Sequence, residues 1–234
     1  MIDVAANLER VRAELDEACS AAGRDPSEVR LLPVSKTHPP ELLEAAYAAG
    51  VRLLGENRVQ EAAEKAEHFT DVHPDLRWAM IGHLQTNKAR QVAAFADEFH
   101  ALDSLKIARA LHKGLHDLDR TLDVFVQVNS SAEPQKSGLA PDEVPDLVAA
   151  LAELPTLRVR GLMTVAVQRG VDDAGDREVA ACFERMVELR DALPEHLCGR
   201  ELSMGMSGDH TLAIAHGATT VRIGQAVFGA RETR

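Results

Sequence analysis

Lys36 stands at the carboxyl end of an apolar run, residues 29–34, and is followed by Pro39 and Pro40, which cannot continue a ladder. Walled off from water, an amine in that place loses part of its preference for the charged form and becomes a nucleophile toward an aldehyde. A lysine that snorkels out of the strand end is the competing reading of this stretch. A second group of candidates lies near the other end of the chain. Arg222 sits in an apolar run, where a guanidinium needs a partner, and Gly224 shares its face by the two-residue period of a strand. Ser207, Gly208 and Asp209 open a helical segment, 210–217, whose free N–H groups suit a phosphate. Gly208 and Gly224 permit close backbone approach, and the Ser207 hydroxyl can donate. Taken singly, Gly224 reads as a packing point and Ser207 with Gly208 as a turn. Their chemistry depends on whether the fold brings them to Lys36.

The elements that must do so alternate along the chain. Residues 3–22 carry Val4, Leu8, Val11, Leu15 and Ala18 at helical spacing. Eight strand-like runs follow, at 29–34, 51–57, 76–82, 98–104, 121–129, 158–166, 201–207 and 219–229, with helical segments between them. In the fifth, Leu122, Val124, Val126 and Val128 alternate. This order predicts an α/β fold, a single (β/α)8 TIM barrel over residues 1–234 with an extra N-terminal helix. The pattern shows no helix after the last strand, and the N-terminal helix is expected to take its place in the outer ring. A doubly wound sheet would call for a glycine-rich turn after the first strand, and a Lys-Thr-His-Pro-Pro turn stands there instead.

The 234 residues carry a net charge of −11, which disfavours nucleic acid and anionic membrane as partners, so any phosphate site must be local. Hydrophobic residues make up 45% and aromatics only 3%, so the core is built from Ala, Val, Leu and Ile. Cys19, Cys182 and Cys198 lack metal-ligand spacing and read as reduced, packed thiols. With no apolar leader and no membrane-length run, a cytoplasmic protein is expected. His210 and His216 miss the helical spacing of a metal pair, and no metal is expected.

In a closed barrel the eighth strand lies beside the first, which sets Arg222 and Gly224 next to Lys36, with the 206–209 turn on the same rim. An amine beside a phosphate cradle is what a phosphorylated aldehyde requires, and pyridoxal 5′-phosphate (PLP) is the candidate. Further polar residues fall at strand ends on that rim: Glu56 and Asn57, His83, Asn129, and Thr164. His83 reads equally as a helix cap.

Several motifs in order, VSKTHP at Lys36, GENRVQE (55–61), IGHLQTNK (81–88), QVN (127–129), KSGL (136–139), GLMT (161–164), SMGMSGD (203–209) and VRIGQAVFGAR (221–231), resemble the pyridoxal phosphate homeostasis protein family, which is similar to the N-terminal barrel of alanine racemase. The resemblance implies that Lys36 carries PLP as an internal aldimine, that Ser207, Gly208 and Gly224 hold the phosphate, and that Arg222 faces the pyridine nitrogen. Asn57 and His83 would line the ring's surroundings. A cation at the pyridine nitrogen disfavours its protonation and weakens the ring as an electron sink. The only tyrosine, Tyr47, falls in an outer helix pattern, so the second acid/base of a racemase is not expected. The resulting expectation is a monomeric PLP carrier with no catalytic residues, taking part in vitamin B6 homeostasis, with apo forms of PLP-dependent enzymes as candidate recipients. A small amino-acid racemase, and a barrel for another phosphorylated metabolite, are the alternatives; Lys88 and Lys136 are the other candidate attachment points.

Overall fold

The computed structural model describes residues 2–131, 133, 136–167 and 173–230. Arg231, which ends the last family-like motif, and Ala132, Pro134 and Gln135 of the loop before the 136–139 motif lie outside them. The chain runs α1 (Val4–Ala21), β1 (Arg30–Pro33), α2 (Pro40–Ala48), β2 (Leu53–Glu56), α3 (Val59–Thr70), β3 (Arg77–Met80), α4 (Ala89–Phe95) and β4 (Glu98–Leu102). It continues α5 (Leu105–His116), β5 (Leu122–Gln127), α6 (Val144–Leu151), β6 (Leu157–Met163), α7 (Asp173–Ala192), β7 (Glu201–Ser203), α8 (His210–Ala215), β8 (Thr220–Ile223) and α9 (Gln225–Phe228).

All eight strands are parallel, in the order β1-β8-β7-β6-β5-β4-β3-β2. A bridge between Val34 and Gly55 joins the two ends of that order, with the Ser35 N–H donating to the Gly55 carbonyl at 3.0 Å. The sheet is therefore a ring, the expected (β/α)8 barrel. Strands buried on both faces lose the polar alternation of half-exposed ones. In β5 not only Leu122, Val124 and Val126 but also Phe125 and Gln127 are buried.

The outer ring closes differently from the sequence reading. The run 219–229 is not one strand: β8 stops at Ile223, and Gln225–Phe228 forms the one-turn helix α9. Val227 and Phe228 of this turn are buried, so an apolar run that looks like continued strand is a helix cap on the barrel. Helix α1 packs against both α8 and α9, burying Val4, Leu8, Val11, Leu15 and Ala18, and so fills the gap left by so short a last helix. Among the described residues no helix is long and apolar enough to cross a membrane. Cys19, Cys182 and Cys198 are buried free thiols.

Candidate functional site

The carboxyl end of β1 is held by a buried polar cluster. Ser35 Oγ donates to Glu56 Oε1 at 2.7 Å, and Lys65 Nζ, reaching in from α3, donates to the same oxygen at 2.7 Å. Lys65 Nζ also donates to Glu61 Oε1 (2.7 Å) and to the carbonyl of Ser35 (2.9 Å), the peptide that leads into Lys36. Glu61 Oε1 in turn accepts from the Thr37 N–H at 2.5 Å. Thr37 has φ 65°, a left-handed conformation that a β-branched residue avoids unless its surroundings impose it. Lys36 is thus bracketed by two fixed peptides. Burial raises the pKa of Glu56 despite the attraction of Lys65, and its Oε2 accepts no hydrogen bond among the described residues.

Parallel pairing sets Leu32 opposite Arg222 and Pro33 opposite Ile223. Lys36 and Gly224, together with Val34, His38, Gln225 and Gly229, line one cavity of about 380 Å³, within the size range of small-ligand sites. A Cβ added at Gly224 would stand 3.0 Å from the Val34 carbonyl oxygen, so the bare glycine is what lets the two strand ends close on each other. Arg222 is buried at 4% exposure. Its guanidinium donates to Ser203 Oγ at 2.8 Å and to the Thr164 carbonyl at 2.7 Å, both neutral acceptors. No carboxylate among the described residues forms an ion pair with it. Burial lowers its pKa to about 10, against the opposing pull of Asp209, so it remains charged at neutral pH.

Ser207 and Gly208 lie exposed in the β7–α8 turn, on the carboxyl side of the barrel but outside the lining of the Lys36 cavity. The turn is tied to β8 where the Arg222 N–H donates to the Gly205 carbonyl at 2.9 Å. Helix α8 is six residues long, shorter than the 210–217 expectation. The Asp209 carboxylate accepts from the Met206 N–H at 2.5 Å and fixes the turn. Asn57, half-buried, follows β2, and His83 follows β3 with its ring 61% exposed and Nδ1 3.5 Å from Asp103 Oδ2. Gly82 joins their two loops: a Cβ there would meet the Asn57 carbonyl oxygen at 2.1 Å. Of the expected site residues only Lys36 and Gly224 line the Lys36 cavity; Asn57, His83 and Arg222 do not, nor do Lys88, Lys136 and Tyr47. Lys136 is paired with Glu133, and Tyr47 on α2 donates to Asp75 at 2.6 Å with its ring stacked on His73.

The chain matches the alanine racemase N-terminal domain family over residues 6–232. It is 43% identical over 233 residues to the pyridoxal phosphate homeostasis protein of Pseudomonas aeruginosa, covering 99% of this chain and 97% of that one. The Escherichia coli K12 protein of the same name is 42% identical over 238 residues, with 99% and 98% covered. The chain belongs to the pyridoxal phosphate homeostasis protein family. PipY of Synechococcus elongatus PCC7942, whose structure has PLP bound, is similar with a TM-score of 0.80 at 36% identity, covering 97% of this chain and 100% of PipY. Alanine racemase of Clostridium difficile 630 shares the fold, with a TM-score of 0.75 at 15% identity, and this chain covers 57% of it.

For this member of the pyridoxal phosphate homeostasis protein family, sequence reasoning missed the clamp behind Lys36. One signal was legible. Ala62, Lys65, Ala66 and Phe69 form the buried stripe of α3, so Lys65 occupies a position where the helical period calls for an apolar residue. His38, buried and 5.3 Å from the Phe228 ring, was also passed over, and it lines the cavity.

Proposed function

We propose that residues 1–234 act as one PLP-binding domain that takes part in intracellular PLP homeostasis, holding the cofactor without turning over an amino-acid substrate. The observation that carries this reading is the cavity in which Lys36 and Gly224 meet; two residues before Gly224, and outside that lining, stands a buried cation, Arg222, that has no carboxylate partner among the described residues. A buried charge held only by neutral acceptors costs stability, and a cofactor ring is a reason to keep one. Bound PLP supplies an aldehyde that condenses with an amine and a ring that withdraws electrons from it.

In this reading the Lys36 amine is the covalent attachment point, on a strand end made rigid by Lys65 and Glu61. Ser207, Gly208 and Gly224 hold the phosphate, which requires the exposed β7–α8 turn to supply its N–H groups toward the β8 end. Arg222 faces the pyridine nitrogen and keeps it unprotonated, which disfavours transamination and decarboxylation. Asn57 and His83 line the ring's surroundings. Tyr47, engaged with Asp75 and His73 on the outer ring, is not placed to serve as a second acid/base. The reading extends to a cytoplasmic monomer that passes PLP to apo-enzymes.

The test is an absorption spectrum of the purified protein with PLP, before and after borohydride, with mass mapping of the fixed adduct. An adduct on Lys36 supports the reading; an adduct confined to Lys88 or Lys136 overturns it. Incubation with L-amino acids in deuterated water separates carrier from racemase: α-proton exchange at enzyme-like rates that Lys36→Ala abolishes would replace the first by the second.

A further inference from the structure

The barrel interior contains a buried polar chain that links Arg222 to a strand on the far side of the ring. Glu98 on β4 accepts both Arg30 guanidinium nitrogens, at 2.6 and 2.7 Å, and stands 2.8 Å from His100 Nε2. Burial alone would raise the Glu98 pKa, but the hydrogen bonds from His100 and Arg30 outweigh it and hold the carboxyl far below the usual carboxylate range. An ionised carboxylate can only accept, so His100 Nε2 carries the hydrogen. Burial pushes the His100 pKa down to about 4, so at neutral pH the ring is uncharged and its Nδ1 is bare. Nδ1, 2.9 Å from Ser203 Oγ, therefore accepts the hydroxyl hydrogen. With its proton committed, the Ser203 oxygen presents lone pairs to Arg222, whose guanidinium donates to it at 2.8 Å. Every bond thus points the same way, from Arg222 through Ser203 and His100 to Glu98. His100 is fully buried, and its ring lies 4.2 Å from that of Phe125.

We propose that His100 is a positioning residue for Arg222: by taking the Ser203 hydrogen it orients the serine lone pairs that hold the guanidinium against the cofactor's pyridine nitrogen. The proposal rests on the PLP reading above. Polarity decides it: a guanidinium can only donate, so the Ser203 hydrogen must be taken by another group, and His100 Nδ1 is the acceptor that holds it away from Arg222. The second anchor, the Thr164 carbonyl at 2.7 Å, fixes one nitrogen of the guanidinium, and the Ser203 oxygen is needed to fix the plane.

The test compares PLP-loaded wild type with Arg222→Gln, Ser203→Ala, His100→Leu and His100→Asn, each checked for native circular dichroism. Ser203→Ala and His100→Leu are expected to move the absorption band of the lysine-bound cofactor in the direction Arg222→Gln moves it. Each should weaken PLP retention by about ten- to a hundredfold, as the loss of a hydrogen bond to a charged group implies. Neither should add to Arg222→Gln when combined with it. His100→Asn sets a carboxamide oxygen where Nδ1 stood, and is expected to keep the wild-type band even though it loses the contact with Glu98. A purely structural role would make His100→Asn and His100→Leu alike. Should His100→Leu not fold, Ser203→Ala breaks the same link with a smaller change. Wild-type spectra and retention in folded Ser203→Ala, or effects that add to those of Arg222→Gln, would overturn the proposal while leaving the PLP site intact. A wild-type protein that forms no borohydride-fixed adduct would sink both.

Discussion

Acid should destabilise this barrel through one imidazole. A solvated histidine titrates near about 6.5, whereas burial brings His100 down to about 4. The unfolded chain therefore binds a proton that the folded chain refuses. The stability His100 contributes is fully present above the unfolded value and is lost as pH falls toward the folded one. Each proton taken up only on unfolding changes stability by about 1.4 kcal/mol per pH unit, and integrating from pH 7 to pH 5 leaves a loss of about 2 kcal/mol from this group. The groups facing it, Glu98, Arg30 and Arg222, keep their charges over that window, since the Glu98 carboxyl is held far below it and burial lowers Arg222 only to about 10. Glu98 adds a loss of the same sign at lower pH, because its folded pKa is depressed as well. Urea denaturation of wild type and His100→Asn at pH 7, 6 and 5 reads the effect, since Arg30 still hydrogen-bonds the Glu98 carboxylate in the variant. The wild-type curve should fall more steeply by about 2 kcal/mol. Parallel curves for the two proteins would refute the reasoning.

Three further outcomes are expected. Lys36→Ala should abolish the borohydride-fixed adduct while weak PLP binding survives in equilibrium dialysis, because the amine and the proposed phosphate cradle sit on different elements; loss of all binding would contradict that separation. Lys65→Met should lower unfolding stability by about 3–5 kcal/mol, since it leaves the buried Glu56 carboxylate with Ser35 as its one remaining partner among the described residues; a loss below about 1 kcal/mol in urea titration would mean that Glu56 is protonated in the folded state. Gly82→Ala should disrupt the contact with the Asn57 carbonyl, where its Cβ would fall at 2.1 Å, and lower the melting temperature, whereas Gly208→Ala, which meets nothing within 4 Å, should leave it unchanged.

The succession of strands, the strand-end positions of Lys36, Asn57 and His83, and the place of Arg222 within the last strand were legible because they follow from local periodicity and from where the apolar runs stop. The end of β8 was not, since the run 219–229 stays apolar through the turn into α9 and a four-residue helix has no period to read. Ser207 and Gly208 do open the turn before α8, but the strand-like run 201–207 ends at Ser203, and neither that end, nor their exposure, nor the role of Asp209 in tying the turn to Met206 was legible. Lys65 showed itself as a charge on an apolar stripe, yet nothing local names its acceptors, which lie on β1 and β2.

By itself the sequence determined an alternating chain of eight strands, a lysine at the end of the first and an arginine in the last, because each is set by neighbours a few residues away. Ring closure, which set Leu32 opposite Arg222 and brought Lys36 and Gly224 to one cavity, was decided only by the tertiary structure. So was the one-way hydrogen-bond chain from Arg222 to Glu98, whose members come from three different strands. The physical reason is the same for both: parallel strands meet across long crossovers, and the partners of a buried polar group are chosen by packing in space.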